Sequence, residues 1–489
     1  MRIAKSGKAV TGTSLLAGIL LLAYCTKDDH GNPHNPPNKQ IEWKDHSSTP
    51  AFIKKLSGFE HLGVYTLISS DDTLPQSPQY IFGGSADGAG LVKQGNNYVM
   101  LVNQEDNYSV SRITLDETFK PVKGEYLLNS DGGQWRLCSA TMATPAEHGF
   151  GPLYLTCGES NVEGNVHSLD PLAPAGNPSV GHELKALGYR SAENAVPLPK
   201  KAYPGKTAIV IGEDADDASG GQLFLYLANS TGDLQNGNQY MLRRTDGNQR
   251  ETDMTPGTTY DVEFTQYDKT LTGKQVVDLT DQLKAIKFGR VEDVDYRKGS
   301  ADNGREIYFT VTGQDRSGVN ADASRTMYGR VYRLRLDASD PLKGKLEVIL
   351  DGDDDKGIAA AFQNPDNICA TENYVYIQED SNGYGTEDHD AYVYQYTISS
   401  KQLKPVFELN HFRDTPNGTR YGGTGSKFGS WEYGALVDIS DVIGEPDAFT
   451  LCIQPHTWRG DRYKGADGGA KRSSENQASE VVYIKGLPR

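Results

Sequence analysis

The chain carries none of the short signatures of the commoner hydrolases and nucleotide enzymes: no Gly-x-Ser-x-Gly elbow, no P-loop and no His-Glu-x-x-His pair. Serine-nucleophile, Walker-type and zincin chemistry are thereby set aside. A basic excess is also missing. Lys and Arg number 49 against 65 Asp and Glu, a net charge of −16, so little is on offer to a nucleic-acid backbone. Methionine (6) and tryptophan (4) are scarce, and the 5 cysteines show none of the close pairing that a structural zinc site requires. No long helical periodicity stands out. Tyrosine (27) and glycine (53) are plentiful, with alternating strands between Gly, Asn and Asp turns, which predicts an all-β protein. A length of 489 residues allows two or three average domains or one large β architecture. The acidic balance suits an exported protein whose clustered carboxylates face water or bind cations.

The N-terminus reads as an export signal. Arg2, Lys5 and Lys8 precede an apolar run, Leu15 to Leu22, too short to span a bilayer. Leu22-Ala23-Tyr24-Cys25 resembles the lipobox of bacterial lipoproteins, with Tyr24 where a small residue is usual. Thr26-Lys27-Asp28-Asp29 is similar to the lysine-acidic-acidic export tag of surface lipoproteins. The resemblance implies a signal peptide over 1–24, lipidation of Cys25, and a lipid anchor in the outer membrane, at the cell surface or the periplasmic face. Residues 25–50, rich in Asn, Pro, His and Asp, predict a flexible tether, and 51–489 a single domain. With Cys25 taken, Cys138, Cys157, Cys369 and Cys452 remain, an even number compatible with two disulfides.

Beyond the tether an apolar strand running into polar and acidic residues recurs. Tyr98–Asn103 leads to Gln104-Glu105-Asp106, Leu153–Cys157 to Gly158-Glu159, and Ala208–Ile211 to Gly212-Glu213-Asp214. Ile307–Thr312 leads to Gly313-Gln314-Asp315, Tyr374–Ile377 to Gln378-Glu379-Asp380, and Phe449–Ile453 to Gln454-Pro455-His456. A second alternating strand follows most of them: Gly221–Ala228, Gly329–Leu336, Ala391–Ile398 and Glu480–Ile484. Units of this kind predict a β-propeller of about six blades, because radial repetition protects sheet edges; a pair of β-sandwiches is the rival architecture. Inner strands ending in acids would bring several carboxylates to one mouth of the central channel, where cations relieve their repulsion. Clustered oxygen ligands point to calcium.

The chemistry concentrates in Gly289-Arg290-Val291-Glu292-Asp293-Val294-Asp295, just ahead of the apolar Ile307–Val311. A guanidinium grips phosphate or carboxylate in a two-point fork, and adjacent carboxylates hold a hard cation. With that stretch in place, the layout from about Gly83 to His456 resembles the PhoX-type alkaline phosphatases, six-bladed propellers that hydrolyse phosphomonoesters with iron and calcium ions. Cys138-Ser139-Ala140, through Thr144-Pro145 to Leu155-Thr156-Cys157-Gly158-Glu159, is similar to that family's Cys to Thr-Pro to Leu-Thr-Cys-Glu-Glu stretch. This implies Cys138 as a thiolate ligand to iron and Glu159 as a metal carboxylate. Gly188-Tyr189-Arg190-Ser191-Ala192-Glu193 resembles Gly-Arg-x-x-His-Glu and implies Glu193, while Gly212-Glu213-Asp214 implies Glu213 and Asp214. Arg290-Val291-Glu292-Asp293 resembles Arg-Pro-Glu-Asp, implying Arg290 as phosphate clamp and Glu292 as ligand. Asn364-Pro365-Asp366-Asn367 ahead of Gln378-Glu379-Asp380 implies Asp366 and Asp380. Asn103-Gln104-Glu105 and Ile453-Gln454-Pro455-His456 are similar to two further elements. Gly158, Ala192, Val291, Asn364, Gln104 and the order of Pro455-His456 depart from the family pattern. They mark a diverged branch and put individual metal positions in question.

The resemblance thus implies metal-assisted hydrolysis of a small phosphorylated substrate, with calcium and iron(III) as cofactors; the protein is expected to be a monomer. Two other readings stay open: a non-catalytic, calcium-stabilised surface propeller that binds a ligand or partner, and a calcium-dependent propeller esterase or lactonase. The latter has little use for Arg290 or a cysteine ligand. The discriminating feature is whether Cys138, Glu159, Glu193, Glu213 and Glu292 meet at one channel mouth beside Arg290. On its own, Cys138 reads as buried core or as half of a disulfide with Cys157. Asp351 to Asp355 reads as a solvated acidic turn, and Arg459-Gly460-Asp461 as accidental.

Overall fold

Strands such as Thr207–Glu213 are apolar on both faces because each blade is covered on both sides. Ile209 and Ile211 pack with Leu155, Cys157 and Val166 of the preceding blade, while Ala208 and Val210 pack with Val291, Ile307 and Phe309 of the following one. The computed structural model describes residues 40–174 and 181–489. Six hydrophobic clusters fill the six interfaces between neighbouring blades, the last joining blade six back to blade one. Each fully buried Val, Leu, Ile or Phe in them contributes about 1.5–3 kcal/mol. The architecture is a β-propeller.

Blade one is Ala86–Gln94, Asn97–Gln104, Ser109–Leu115 and Pro121–Leu128, each antiparallel to the next. Blade two begins at Arg136–Ala143, blade three at Ala192–Pro197, blade four at Val291–Tyr296, blade five at Pro365–Ala370 and blade six at Glu432–Asp438. These six innermost strands lie side by side around the axis and close on themselves. The ring is fastened by the N-terminal strand Gly63–Ser69, which pairs with Glu480–Lys485 as the outermost strand of blade six. Two additions cover exposed edges, the usual liability of a sheet. Ile53–Lys55 adds a fifth strand to blade five, and Thr259–Tyr267 pairs on one side with Asn238–Arg244 and on the other with Lys343–Asp351, stitching blades three and four together.

Three expectations are corrected. The acid-ended apolar strands are the second strands of the blades; the inner strands are the segments before them. Cys138, Cys157, Cys369 and Cys452 are all buried and unpaired, so neither disulfide forms; Cys157, Cys369 and Cys452 pack in the inter-blade clusters. The Asp351–Asp355 turn is only partly solvated, since Asp351 pairs with Arg330 (2.7 Å) and Asp353 with Arg316 (2.8 Å).

Residues 41–49, expected within the tether, are packed. Trp43 stacks on Tyr483 (5.2 Å between centroids), Ile41 lies in the cluster between blades six and one, and Glu42 N donates to Thr118 O (3.0 Å). That carbonyl sits in the turn between the third and fourth strands of blade one, at the end of the propeller where the inner strands finish. Arg489 binds Asp438 (2.6 Å) at the same end. The first and last described residues thus share the face opposite the one where the inner strands start. The expected signal peptide, Cys25 and most of the expected tether lie outside the described residues. No helix among the described residues is long and apolar enough to cross a membrane.

Candidate metal centre

Every inner strand carries a β-bulge near its start. The register slips between Ala86 and Ala89, Leu137 and Ala140, Ala192 and Ala195, Val291 and Val294, Pro365 and Ile368, and Tyr433 and Leu436. A bulge sets two residues opposite one and re-aims a side chain. The first residue of each pair is Asp87, Cys138, Glu193, Glu292, Asp366 or Gly434. Five of the six carry a metal-ligating group, and all five line one cavity of about 190 Å³ at the channel mouth. The sixth has no room for a side chain: a Cβ on Gly434 would fall 2.5 Å from Ala86 O and 2.6 Å from Asp87 Cα. Gly434→Ala is expected to cost about 1–3 kcal/mol in denaturant unfolding, by forcing blades six and one apart beside Asp87.

A second tier comes from the ends of the second strands. Glu105 and Asp380 lie just past such ends and Glu159 closes one; with Glu432, from the start of blade six, they complete the cavity lining, beside Arg136, Arg290, Gln454 and His456. Successive strand residues point to opposite faces, and the ring draws on one member of each acidic pair. Asp214 binds Arg290 at the mouth, whereas the neighbouring Glu213 is buried where the charge of Arg190 bears on it. Similarly Asp380 lines the cavity while Glu379 turns away to accept from Gln363 N (2.7 Å) and Tyr392 N (2.8 Å). Glu213, expected among the ligands, therefore stands outside the ring.

The groups approach closely enough to share ions. Ligand atoms of Asp87, Cys138 and Glu193 lie within 4.8 Å of one another, as do those of Glu105, Cys138 and Glu159, of Glu193, Glu292 and Asp366, and of Asp366, Asp380 and Glu432. Cys138 Sγ donates to Glu159 Oε2 at 2.9 Å. Burial, reinforced by like charge, pushes the carboxyls of Asp87, Glu193, Glu292, Asp366 and Glu432 well above the carboxylate range, and Glu159 up to about 8. Burial raises the Cys138 thiol as well. Asp366 Oδ1 is buried and makes no hydrogen bond among the described residues, and the buried Glu292 Oε1 has only the guanidinium of Arg290 beside it. Such a lining is expensive unless charge of the opposite sign enters it.

Two arginines stand at the rim in equivalent places, each two residues before a bulge ligand. Arg290 is pinned by carboxylates, its Nε 2.7 Å from Asp214 Oδ1, its Nη2 2.7 Å from Glu292 Oε1, and its Nη1 2.6 Å from Asn382 Oδ1. Its φ of 72° is a left-handed conformation that a bulky residue adopts only under constraint, a mark of functional positions. Arg136 holds Glu105 (2.7 Å) and Asp106 (3.2 Å) and leaves 41% of its side chain exposed. Asn364, which replaces a glutamate of the family pattern, is a brace: its Nδ2 donates to Thr312 O (2.7 Å) and Met327 O (2.9 Å). Beyond Arg290 and Glu159 the mouth widens into a vestibule of about 710 Å³, also lined by Asp214, Asp216, Asp315 and Tyr384.

Of the sequence candidates, Cys138, Glu159, Glu193, Glu292, Asp366 and Asp380 meet in the cavity, and Asp214 and Arg290 form its edge. Asp87, Glu432 and Arg136 were not anticipated, and Glu105 only as part of a motif. The signal for Asp87 was present: Ala86-Asp87-Gly88-Ala89 repeats the apolar, ligand, small or polar, apolar order of Leu137-Cys138-Ser139-Ala140, Ala192-Glu193-Asn194-Ala195 and Val291-Glu292-Asp293-Val294.

The fold and site together define a six-bladed propeller with an acid-lined mouth. No protein-family model and no curated protein matches the chain. Among solved structures it is similar to PhoX of Pseudomonas fluorescens, determined in complex with vanadate, a transition state analogue. The TM-score is 0.62 at 14% identity over 90% of this chain and 96% of that one. The PQQ-bound aldose sugar dehydrogenase of Streptomyces coelicolor aligns at TM-score 0.34 and 12% identity, over 86% of this chain and 98% of its own. The β-propeller domain of the Trilobed protease of Pyrococcus furiosus aligns at 0.31 and 8%, over 82% and 94%. The chain has the fold of PhoX.

Proposed function

We propose that the protein is a metal-dependent phosphomonoester hydrolase acting at the propeller mouth. One observation carries this reading: eight carboxylates and a thiol converge on a cavity of about 190 Å³ in a chain with the fold of PhoX. The donor set fits cations. Its oxygens are hard ligands suited to calcium, and the one soft donor, Cys138, marks the place where a transition metal such as iron(III) would sit. Asp87, Glu105, Glu159, Glu193, Glu292, Asp366, Asp380 and Glu432 would hold the ions with it. Bound there, the cations supply Lewis-acid charge neutralisation at the phosphoryl oxygens and a nucleophile at neutral to alkaline pH.

The chain's own residues do the rest. The resemblance implies Arg290 as the phosphate clamp; Arg290 is fixed by Asp214 and Glu292 and holds its positive charge at the rim, and the more exposed Arg136 is placed to meet an incoming phosphate with it. The vestibule beside Arg290 receives the leaving group. Four of the five discriminating residues, Cys138, Glu159, Glu193 and Glu292, converge beside Arg290 and Glu213 does not; that convergence favours catalysis over a purely structural role for calcium, since a structural site needs neither the thiol nor the arginines. The test is hydrolysis of p-nitrophenyl phosphate at alkaline pH by the protein lacking residues 1–25, supplied with calcium and iron. Turnover abolished by chelator and restored by metal is expected. Folded, metal-loaded protein without turnover would overturn the reading.

A further inference from the structure

Behind each ligand-type residue stands the other member of its bulge pair, and among these Asp293 forms a buried clasp. Only 5% exposed, it accepts through Oδ1 from Asn194 Nδ2 (2.5 Å) and Val294 N (2.7 Å), and through Oδ2 from Ile368 N (3.0 Å). Its own N–H donates to Thr310 Oγ1 (3.1 Å), which locks the bulge to the second strand. Asn194 and Asp293 directly follow Glu193 and Glu292 in the chain, and Ile368 lies two residues beyond Asp366. Those three carboxylates are the ones that blades three, four and five bring within 4.8 Å of each other. One buried carboxylate thus ties the three strands together directly under the trio.

The strands do not depend on this clasp alone for their pairing. Two residues further along blade four, Asp295 Oδ2 accepts from Ala370 N (2.8 Å), the same kind of bond between the same two blades, and Lys298 neutralises it (2.6 Å). What Asp293 adds is its location. Three like charges in a dry cavity push their strands apart, and the partners that orient ligands are the groups immediately behind them.

We propose that Asp293 is a positioning residue for a cation held by Glu193, Glu292 and Asp366, setting the spacing of the three carboxylates without touching the ion. The inference rests on the metal-dependent reading above. Asp293→Asn keeps the shape of the side chain but turns an amide N–H₂ towards either Asn194 Nδ2 or Ile368 N, breaking one arm of the clasp. Asp295→Asn is the control for strand stitching alone.

Calcium titration calorimetry on the full-length wild type and both variants, with metal content measured after gel filtration, tests the assignment. Asp293→Asn is expected to bind calcium about 10–100-fold more weakly at one site and to retain less metal. Asp295→Asn should keep wild-type affinity and stoichiometry even where its melting temperature falls. Equal calcium affinities in the two variants would overturn the proposal. Should Asp293→Asn fail to fold, Asn194→Ala removes a single donor from the clasp and should still weaken calcium binding selectively; unchanged affinity there would overturn it too. Wild-type protein that binds no metal would remove both this inference and the phosphatase reading, whereas normal metal binding by Asp293→Asn removes this inference alone.

Discussion

Glu292→Gln is expected to lower kcat/KM for p-nitrophenyl phosphate by about 10³-fold or more while leaving the protein folded. Glu292 is a shared member of the ring: it stands with Glu193 and Asp366, and it fixes Arg290 through a 2.7 Å contact. The amide is isosteric but is a poorer cation ligand, and it cannot form the ion pair with Arg290. Both losses fall on groups that stabilise charge in the transition state. Glu213→Gln is the matched comparison, because sequence resemblance puts Glu213 and Glu292 on the same footing whereas the structure separates them. Glu213 lies outside the ring and is held near neutrality, its carboxyl pushed up to about 8 by burial. That variant should retain activity within about 3-fold, since no transition-state contact is removed. Equal losses in the two variants would mean that the carboxylate ring is not the reaction centre.

The contrast between those glutamates shows where sequence reading succeeds and where it stops. The second strands of the blades are legible because they are apolar on both faces and end in acids at the mouth, as in Tyr374–Glu379 running to Asp380. The inner strands are harder. They pack tightly around the axis and carry small or polar residues, as in Ala86-Asp87-Gly88-Ala89-Gly90. The bulge then breaks the period-two alternation by which strands are recognised. Asp87 escapes a reading by periodicity for that reason, and the acid-ended second strands pass for the inner ones. The family resemblance found Glu193 and Asp366 because it matches short motifs instead of periodicity. It erred at Glu213, where adjacent acids differ only in the face they point to, a property fixed by register. The cysteines mislead for another reason: an even count is compatible with disulfides where export is expected, but Cys157, Cys369 and Cys452 are spent on inter-blade packing.

Chelated protein is expected to lose stability as pH rises, and calcium to cancel most of that loss. In an unfolded chain the carboxyls titrate near their ordinary values, about 4. In the folded, metal-free ring they hold their protons to higher pH: Glu159 to about 8, and Asp87, Glu193, Glu292, Asp366 and Glu432 in the same direction. Between those limits the native state binds more protons than the unfolded state, so ∂ΔG/∂pH is negative and stability drains away as pH climbs from about 4.5 to 8. A fall of roughly 10 °C in melting temperature between pH 5 and pH 8.5 is expected in the presence of chelator. Cations do the work of the protons, and they bind best where the protons have left, so saturating calcium should flatten the profile over the same window. Glu213, at about 8, and Glu379, at about 7, are raised by burial outside the ring. Their share of the slope should survive calcium, which makes the difference between the two profiles, and not either one alone, the signature of the ring. Scanning calorimetry at several pH values, with chelator and with calcium, measures that difference. A chelated profile that coincides with the calcium profile at every pH would show that the carboxylates do not share a dry cavity, because proton release from a wetted ring costs the fold nothing that a cation could restore.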